Sequence, residues 1–284
     1  MKQIVVHPGN AHRDDFMAVC VLLATHDNVK VFRRDPVPED LADRDTYVVD
    51  VGMEYDPLRH NFDHHQDSSL PCAFHLIMQH LGYHEDAMQM FQWYPFMSMM
   101  DVKGPHKAAA HLGVDSSVLF ASSSPIEGHI LSRFSRMRDL GPENLLYVLM
   151  QELGREFIAM IGLKVARLER LKKEARVVQV KHLKAVTCHI EEQPKMSMEL
   201  FLRSLDDERI AICITPSVRG EGWELLRLGD HSMVDFRLVA NSPEIRFVHA
   251  NGFVATTRTR IPQEQVLQLA AGAVIDAESR SFGI

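Results

Sequence analysis

The sequence predicts an α/β protein of two domains, and three observations carry that expectation. In the first half, short apolar runs with strand character each lead into loops rich in histidine and aspartate. A long helical stretch then occupies residues 144–182. Beyond it the pattern turns to short β-type runs separated by glycine turns. The length of 284 residues agrees, because single hydrophobic cores stop growing at roughly 250–300 residues. The expected boundaries are 1–143 for a parallel-sheet domain, 144–182 for a helical connector and 183–284 for a smaller mixed α/β domain.

The elements follow in order. Gln3 to Val6 reads as a strand, followed by a loop at His7 to Ala11. Asp14 and Asp15 open a helix through Phe16 to Leu23, since acidic side chains suit a first turn. Val29 to Arg33 and Thr46 to Val51 read as further strands, the second ending in acidic Asp50. Open parallel sheets place their sites at the carboxyl ends of strands, so Asp50 and the loops bearing His7 and His64 are expected to converge. Ala73 to Met100 is helical in pattern and ends at Asp101. Its segment Met88 to Met97 is read as core packed between helices and cleft rather than as a cofactor box. Helices are expected over Ile126 to Phe134 and from Asn144 to about Lys181, the charged run Glu169 to Arg176 forming a solvated face or connector. Strands are then expected at Leu183 to His189, Arg209 to Pro216 and Trp223 to Leu228, with Gly220-Glu221-Gly222 turning a hairpin between the last two. A helix from Pro262 to about Ala277 closes the chain.

Composition narrows the function classes. The 31 basic and 38 acidic side chains leave a net charge of -7, which argues against a protein coated to grip long nucleic acid; any anionic substrate must be held locally. No apolar stretch approaches the roughly 20 residues that span a bilayer, and the N-terminus lacks the marks of a signal peptide, so a cytoplasmic protein without a membrane partner is expected. Cys20, Cys72, Cys188 and Cys213 lie far apart with no Cys-x-x-Cys pair, as reduced core residues do.

The chemistry lies in three short motifs. The run H-P-G-N-A-H-R-D-D supplies His7, His12, Asp14 and Asp15; D-V-G-M-E-Y-D-P supplies Asp50; and Asp63, His64 and His65 follow. Carboxylates and imidazoles suit manganese, magnesium or zinc, whereas a thiolate site needs clustered cysteines. A hydrolase holding two divalent metals is the first reading. Asp15 also reads as a cap of its helix, and the isolated His26, His80 and His84 are assigned no role.

These motifs resemble the MYG1-like (UPF0160) branch of the DHH phosphoesterase superfamily. The resemblance rests on His7, His12 and Asp14-Asp15, then Asp50-Val51-Gly52 with Tyr55-Asp56-Pro57, then Asp63-His64-His65-Gln66. Asp15 stands where many relatives have Glu, Ala11 where an aromatic is usual, and Met53 where a second Gly is usual. A looser match continues through Arg219-Gly220 to Trp223 and through Phe247 to Phe253. The resemblance implies an N-terminal DHH-type domain and two divalent ions, manganese first, with magnesium, zinc or cobalt as substitutes. His7, His12 and Asp14 would hold them from the first loop, Asp50 would bridge them, and His64 and Asp101 would complete the shell of the second ion. Asp50, Asp63 and His65 form the implied catalytic set, with Asp63 orienting its neighbour and His65 reaching the phosphate or protonating the leaving oxygen. His65, Arg219, His249 and Gly252 are the implied substrate contacts, with Trp223 or Phe253 stacking on bases.

The implied reaction is hydrolysis of phosphodiester bonds in short RNA or DNA oligonucleotides, exonuclease-like. Phosphate-containing small molecules are substrates of the same class, and a homodimer is compatible with the sequence. Three alternatives stand beside it: a pyrophosphatase or polyphosphatase, which would call for a pocket crowded with lysine and arginine; a literal protein hydrolase, for which the His-Glu-x-x-His helix is missing; and a non-catalytic metal or nucleotide binder.

Overall fold

The computed structural model describes residues 2–190 and 195–276, and the chain divides into two compact units, Met1–Leu163 and Lys164–Ile284. In the first unit, β1 (Gln3–Val6) leads to α1 (Arg13–Thr25), β2 (Lys30–Arg33), the short α2 (Pro38–Ala42) and β3 (Thr46–Val49). A small excursion, β4 (Tyr55–Asp56) and β5 (Asn61–Phe62), precedes the helices α3 (Ala73–His80), α4 (His84–Met90), α5 (Trp93–Leu112), α6 (Ser116–Ala121) and α7 (Pro125–Ser135). Strand β6 (Asp139–Leu140) then leads into α8 (Leu145–Glu174), within which the boundary between the units falls.

The first sheet has the order β4-β5-β3-β1-β2-β6. Its middle four strands are parallel, and β4 and β6 close the edges antiparallel. Parallel strands are covered on both faces, which is why Ile4, Val5, Val6, Val31, Val48 and Val49 are all buried. The register aligns Val6 with both Arg33 and Val49, and Val49 with Phe62, so the carboxyl ends of β1, β3 and β5 lie side by side. The connection after β1 leads to one side and the chain after β3 to the other, making a topological switch point between β1 and β3, where open α/β sheets form their clefts.

Helix α1 is buried along most of its length, and α8 seats against it through a glycine. A Cβ at Gly154 would lie 2.0 Å from the Cys20 carbonyl oxygen, so only glycine permits this approach. Three residues earlier, Gln151 Nε2 donates to the Leu23 carbonyl at 3.0 Å, satisfying one of the open carbonyls near the end of α1.

The second unit holds β7 (Arg176–Val180), β8 (Leu183–Thr187), α9 (Lys195–Leu205), β9 (Ile210–Pro216), β10 (Trp223–Arg227), β11 (Ile245–Val248), β12 (Val254–Thr257) and α10 (Gln263–Gly272), with a 3-10 turn at Phe236–Val239. Its sheet runs β11-β12-β10-β9-β8-β7, and only the β8–β9 pair is parallel. Ile212, Ile214, Leu225, Phe236, Val266 and Ala270 belong to its core.

Several elements depart from the sequence expectation. The helix expected to reach about Lys181 stops at Glu174, and the β-branched run that follows forms β7 against β8. The stretch from Ala73 to Met100 is three helices, and the last continues past Asp101 to Leu112 across a kink at Gly104, whose φ is 78°, and Pro105. The hairpin β11–β12 and helix α9 lie where no element was expected. Helix α10 begins as expected; Ala277, where its end was placed, lies outside the described residues. All four cysteines are free and buried.

Candidate metal centre

The side chains that the motifs single out in the first unit meet at the switch point. His7 lies in the loop after β1, Asp14 and Asp15 in the first turn of α1, Asp50 directly after β3, Asp63 to His65 directly after β5, and Asp101 on α5. Asp50 is in the left-handed region at φ 58°, a conformation that costs a non-glycine residue energy and recurs at functional sites.

Distances describe one continuous cluster. His64 Nε2 lies 3.1 Å from Asp50 Oδ1 and 3.1 Å from Asp101 Oδ2. His7 Nε2 is 2.8 Å from Asp15 Oδ2 and 3.5 Å from Asp50 Oδ2. Ligand atoms gather in three overlapping sets: His7, His12 and Asp50; Asp50, His64 and His65; and His12, Asp14 and Asp101, each within 4.8 Å of one another. Asp50 and His12 are each shared by two sets, as groups between two cations would be.

Although they are close, these atoms are not satisfied by one another. His7 Nε2, both Asp14 oxygens, Asp50 Oδ1 and His64 Nε2 are buried without an aligned hydrogen bond. Buried polar atoms normally have partners, so lone pairs converging without donors fit a set of cation ligands. Protonation tells the same story for the protein groups alone. Burial, together with Asp50 and Asp101, raises the Asp14 carboxyl well above its usual range, and burial raises Asp50 as well. Burial alone would lower His64, but Asp101 and Asp50 outweigh it and push its imidazolium up to about 10. The cluster holds protons that a divalent ion would displace.

A surrounding layer fixes these ligands. Asp15 Oδ1 accepts from the His12 backbone N–H at 3.0 Å, closing the start of α1, while Oδ2 meets His7 and, at 3.2 Å, the buried guanidinium of Arg33. Asp15 is thus both the cap expected from its position and an anchor for His7. Arg33, which the sequence reading passed over, also lies 4.2 Å above the Phe134 ring. Its signal was a charged residue ending an apolar strand beside two more such strand ends. His7 Nδ1 lies 2.6 Å from the Pro8 carbonyl, the usual arrangement for an imidazole whose other nitrogen ligates.

Asp63 belongs to none of the three ligand sets and is held by donors. Its Oδ2 accepts from the Met53 N–H at 2.6 Å, and its Oδ1 from the N–H groups of His64 and His65 at 2.7 and 3.1 Å. Burial would raise its carboxyl, yet these bonds and the His65 ring hold it below the usual range. His65 Nδ1 sits 2.7 Å from Asp63 Oδ1 while the side chain is 55 % exposed, so an oriented imidazole faces solvent at the edge of the cluster.

The residues expected to bind substrate from the second half lie in the second unit. Arg219 is exposed, and its carbonyl accepts from Arg246 Nη1 at 3.1 Å. The His249 ring packs 4.0 Å from that of Phe253. Gly252 has φ 67°, and a Cβ there would lie 2.1 Å from Asp235 Oδ1, so it allows a tight turn against a carboxylate. Trp223 does not offer a stacking face: it is 3 % exposed, and its indole N–H donates to the Ile261 carbonyl at 2.8 Å.

A parallel α/β sheet with a histidine and aspartate cluster at its switch point defines an α/β protein with a candidate metal centre. Residues 3–75, which carry all of that cluster but Asp101, match the family model described as Uncharacterised protein family (UPF0160), a quarter of the chain. It is 46% identical over 69 residues to the protein described as MYG1 exonuclease in Homo sapiens, and equally to that of Bos taurus, alignments that cover 23% of this chain and 18% and 17% of those proteins. With the Rattus norvegicus protein of the same description, identity is 43% over 67 residues, 22% of this chain and 17% of the relative. The match thus spans less than a fifth of the length of these relatives. Among solved structures, an exopolyphosphatase-related protein from Bacteroides fragilis and an uncharacterized protein from Helicobacter pylori G27 align with 94% of the chain and with 90% and 99% of their own, at 10% identity and a TM-score of 0.27. Among the described residues no helix is long and apolar enough to cross a membrane.

Proposed function

We propose that this protein is a divalent-metal-dependent phosphoesterase of DHH type that hydrolyses phosphodiester bonds in short RNA or DNA oligonucleotides. The observation that carries the reading is the convergence of ligand atoms from His7, His12, Asp14, Asp50, His64 and Asp101 around shared Asp50, with both Asp14 oxygens buried and without a hydrogen bond. The exonuclease description of the relatives over residues 3–75 supports the same chemistry.

The residues present fit a pair of hard divalent cations, manganese first, with magnesium, zinc or cobalt as substitutes, because the donors are carboxylate oxygens and imidazoles alone. His7, His12, Asp14, Asp50, His64 and Asp101 would hold them. Such ions supply a water ionised near neutral pH and positive charge facing the phosphoryl oxygens. The chain itself contributes order and proton handling. Arg33 and Asp15 keep His7 from turning away, and Asp63 keeps the His65 ring at one angle. His65, exposed beside the cluster and backed by a carboxylate, is placed to contact the phosphate and to donate a proton to a leaving oxygen. Arg219, His249 and Gly252 remain proposed substrate contacts from the second unit.

The test is hydrolysis of bis-p-nitrophenyl phosphate, short RNA and DNA oligomers, cyclic dinucleotides and pyrophosphate with manganese, against His65→Gln. Turnover of oligomers that the variant slows supports the reading. Turnover confined to pyrophosphate moves the assignment to phosphoanhydrides, and bound metal with no turnover moves it to a binding role.

A further inference from the structure

A cavity of about 570 Å³ opens beside the candidate metal centre and shares its residues, with His12, Asp14 and Asp101 all in its wall. The remaining wall is largely apolar, with Met97 and Met100 from α5, Leu119 and Phe120 from α6, and the Gly104–Pro105 kink bending α5 around it. Two of the polar groups here are already engaged. The Arg13 guanidinium is taken by the Glu127 carboxylate, and the Ser122 hydroxyl donates to the Leu119 carbonyl at 3.0 Å. Arg13 is the one permanent cation among the lining residues, so a second or third phosphate group would find no free positive charge.

The volume lies within the roughly 300–1,000 Å³ of pockets that hold small organic molecules. Thioethers and a phenyl ring form a polarisable surface suited to a flat, uncharged ring. Phe120 is 58 % exposed, so its ring is accessible to an occupant of the cavity. Because the cavity is continuous with ligands of a phosphate-type centre, its occupant must carry a phosphate and a flat apolar group close together, which is the chemistry of a nucleotide.

We propose that the cavity beside His12, Asp14 and Asp101 is a base pocket, receiving the heterocycle of the nucleotide whose phosphate lies at the metal centre. Phe120, Met97 and Met100 hold the ring by contact, and with Arg13 and Ser122 engaged the Ser123 hydroxyl is left as the wall's neutral polar group, too little to read base identity. The substrate class is then nucleotides with a free terminal base of any kind, in preference to inorganic phosphate chains. This rests on the phosphoesterase reading above.

Calorimetric binding with manganese present tests it, using adenosine 5′-monophosphate, uridine 5′-monophosphate, ribose 5-phosphate and hexyl phosphate. Both nucleotides should bind at least about tenfold more tightly than ribose 5-phosphate and hexyl phosphate, the scale of one stacked base. Phe120→Ala, which removes an exposed ring and no core packing, should erase most of that advantage, and Met97→Ala part of it. Equal binding of nucleotide and ribose 5-phosphate, equal binding of nucleotide and hexyl phosphate, or an advantage untouched by both variants overturns the base pocket and leaves the phosphoesterase reading standing. Failure of all four phosphates to bind overturns both.

Discussion

At the scale of the residue, Asp50 concentrates the problem that the site solves. A buried carboxylate at a left-handed backbone position, 3.1 Å from one imidazole and 3.5 Å from another, is costly unless a cation repays its lost hydration. Asparagine tolerates the same backbone region, so Asp50→Asn removes the charge while keeping the turn. The variant should lose manganese binding in a calorimetric titration, and hydrolysis should fall about a thousandfold or more. Because burial disfavours the ionised form of Asp50, its melting temperature in chelator should not drop below that of the unmodified protein. A variant that still bound manganese tightly would remove Asp50 from its bridging role. Most of this cluster was legible in the sequence, since its histidines and aspartates sit in short motifs at strand ends. Arg33 was not, because its partner Asp15 lies on another element and nothing local marks the pair. Trp223 misled for the complementary reason: composition cannot tell an indole that faces a ligand from one whose N–H is spent on Ile261.

Two packing contacts decide the behaviour of whole elements. On α3, His75 is 3 % exposed, stacks 3.9 Å from the Tyr94 ring of α5 and places Nε2 2.9 Å from the Tyr94 carbonyl. Burial lowers its pKa from 6.5 to about 4. The folded state therefore resists a proton that the unfolded chain accepts. Stability from this group is complete above pH 6.5 and is lost as pH falls toward 4, at up to about 1.4 kcal/mol per pH unit. Melting temperature should fall between pH 7 and pH 4.5, and His75→Gln should flatten that slope; an unchanged slope would show that His75 is not its source. On α8, Gly154→Ala forces a methyl onto the Cys20 carbonyl and should cost about 1–3 kcal/mol by urea denaturation, whereas Gly162→Ala, with open space at its Cβ, should not. The missed elements also have a local cause. Helix-favouring charge runs up to Glu174, so the start of β7 hid behind it. The β11–β12 hairpin carries its own turn signal in Asn251-Gly252, which was read only as a binding motif.

For the whole molecule, the two units carry one tryptophan each: Trp93 in the first, partly exposed, and Trp223 in the second, buried. Single-tryptophan variants made with phenylalanine can therefore report each unit separately. If the proposed manganese site forms only in the folded chain, the ion at about a hundred times its dissociation constant should stabilise the first unit by about 2.7 kcal/mol. The Trp93 transition should rise and the Trp223 transition should stay; if both rose together, the units would be unfolding as one cooperative body. The division into an α/β sheet unit and a mixed unit was legible from the change of pattern along the chain, while the point of division, inside α8, was not, because a helix that continues through it shows no break in periodicity.

Every converging side chain except Asp101 lies between His7 and His65, in the segments that directly follow β1, β3 and β5, three strands adjacent in the sheet. Synthesis at about 5–20 residues per second therefore completes this segment several seconds before α8 emerges to press Gly154 onto α1. During that interval α1 lacks the glycine-seated contact from α8. Emergence of the motif-bearing segment and closure of α8 onto α1 are thus separate events in time.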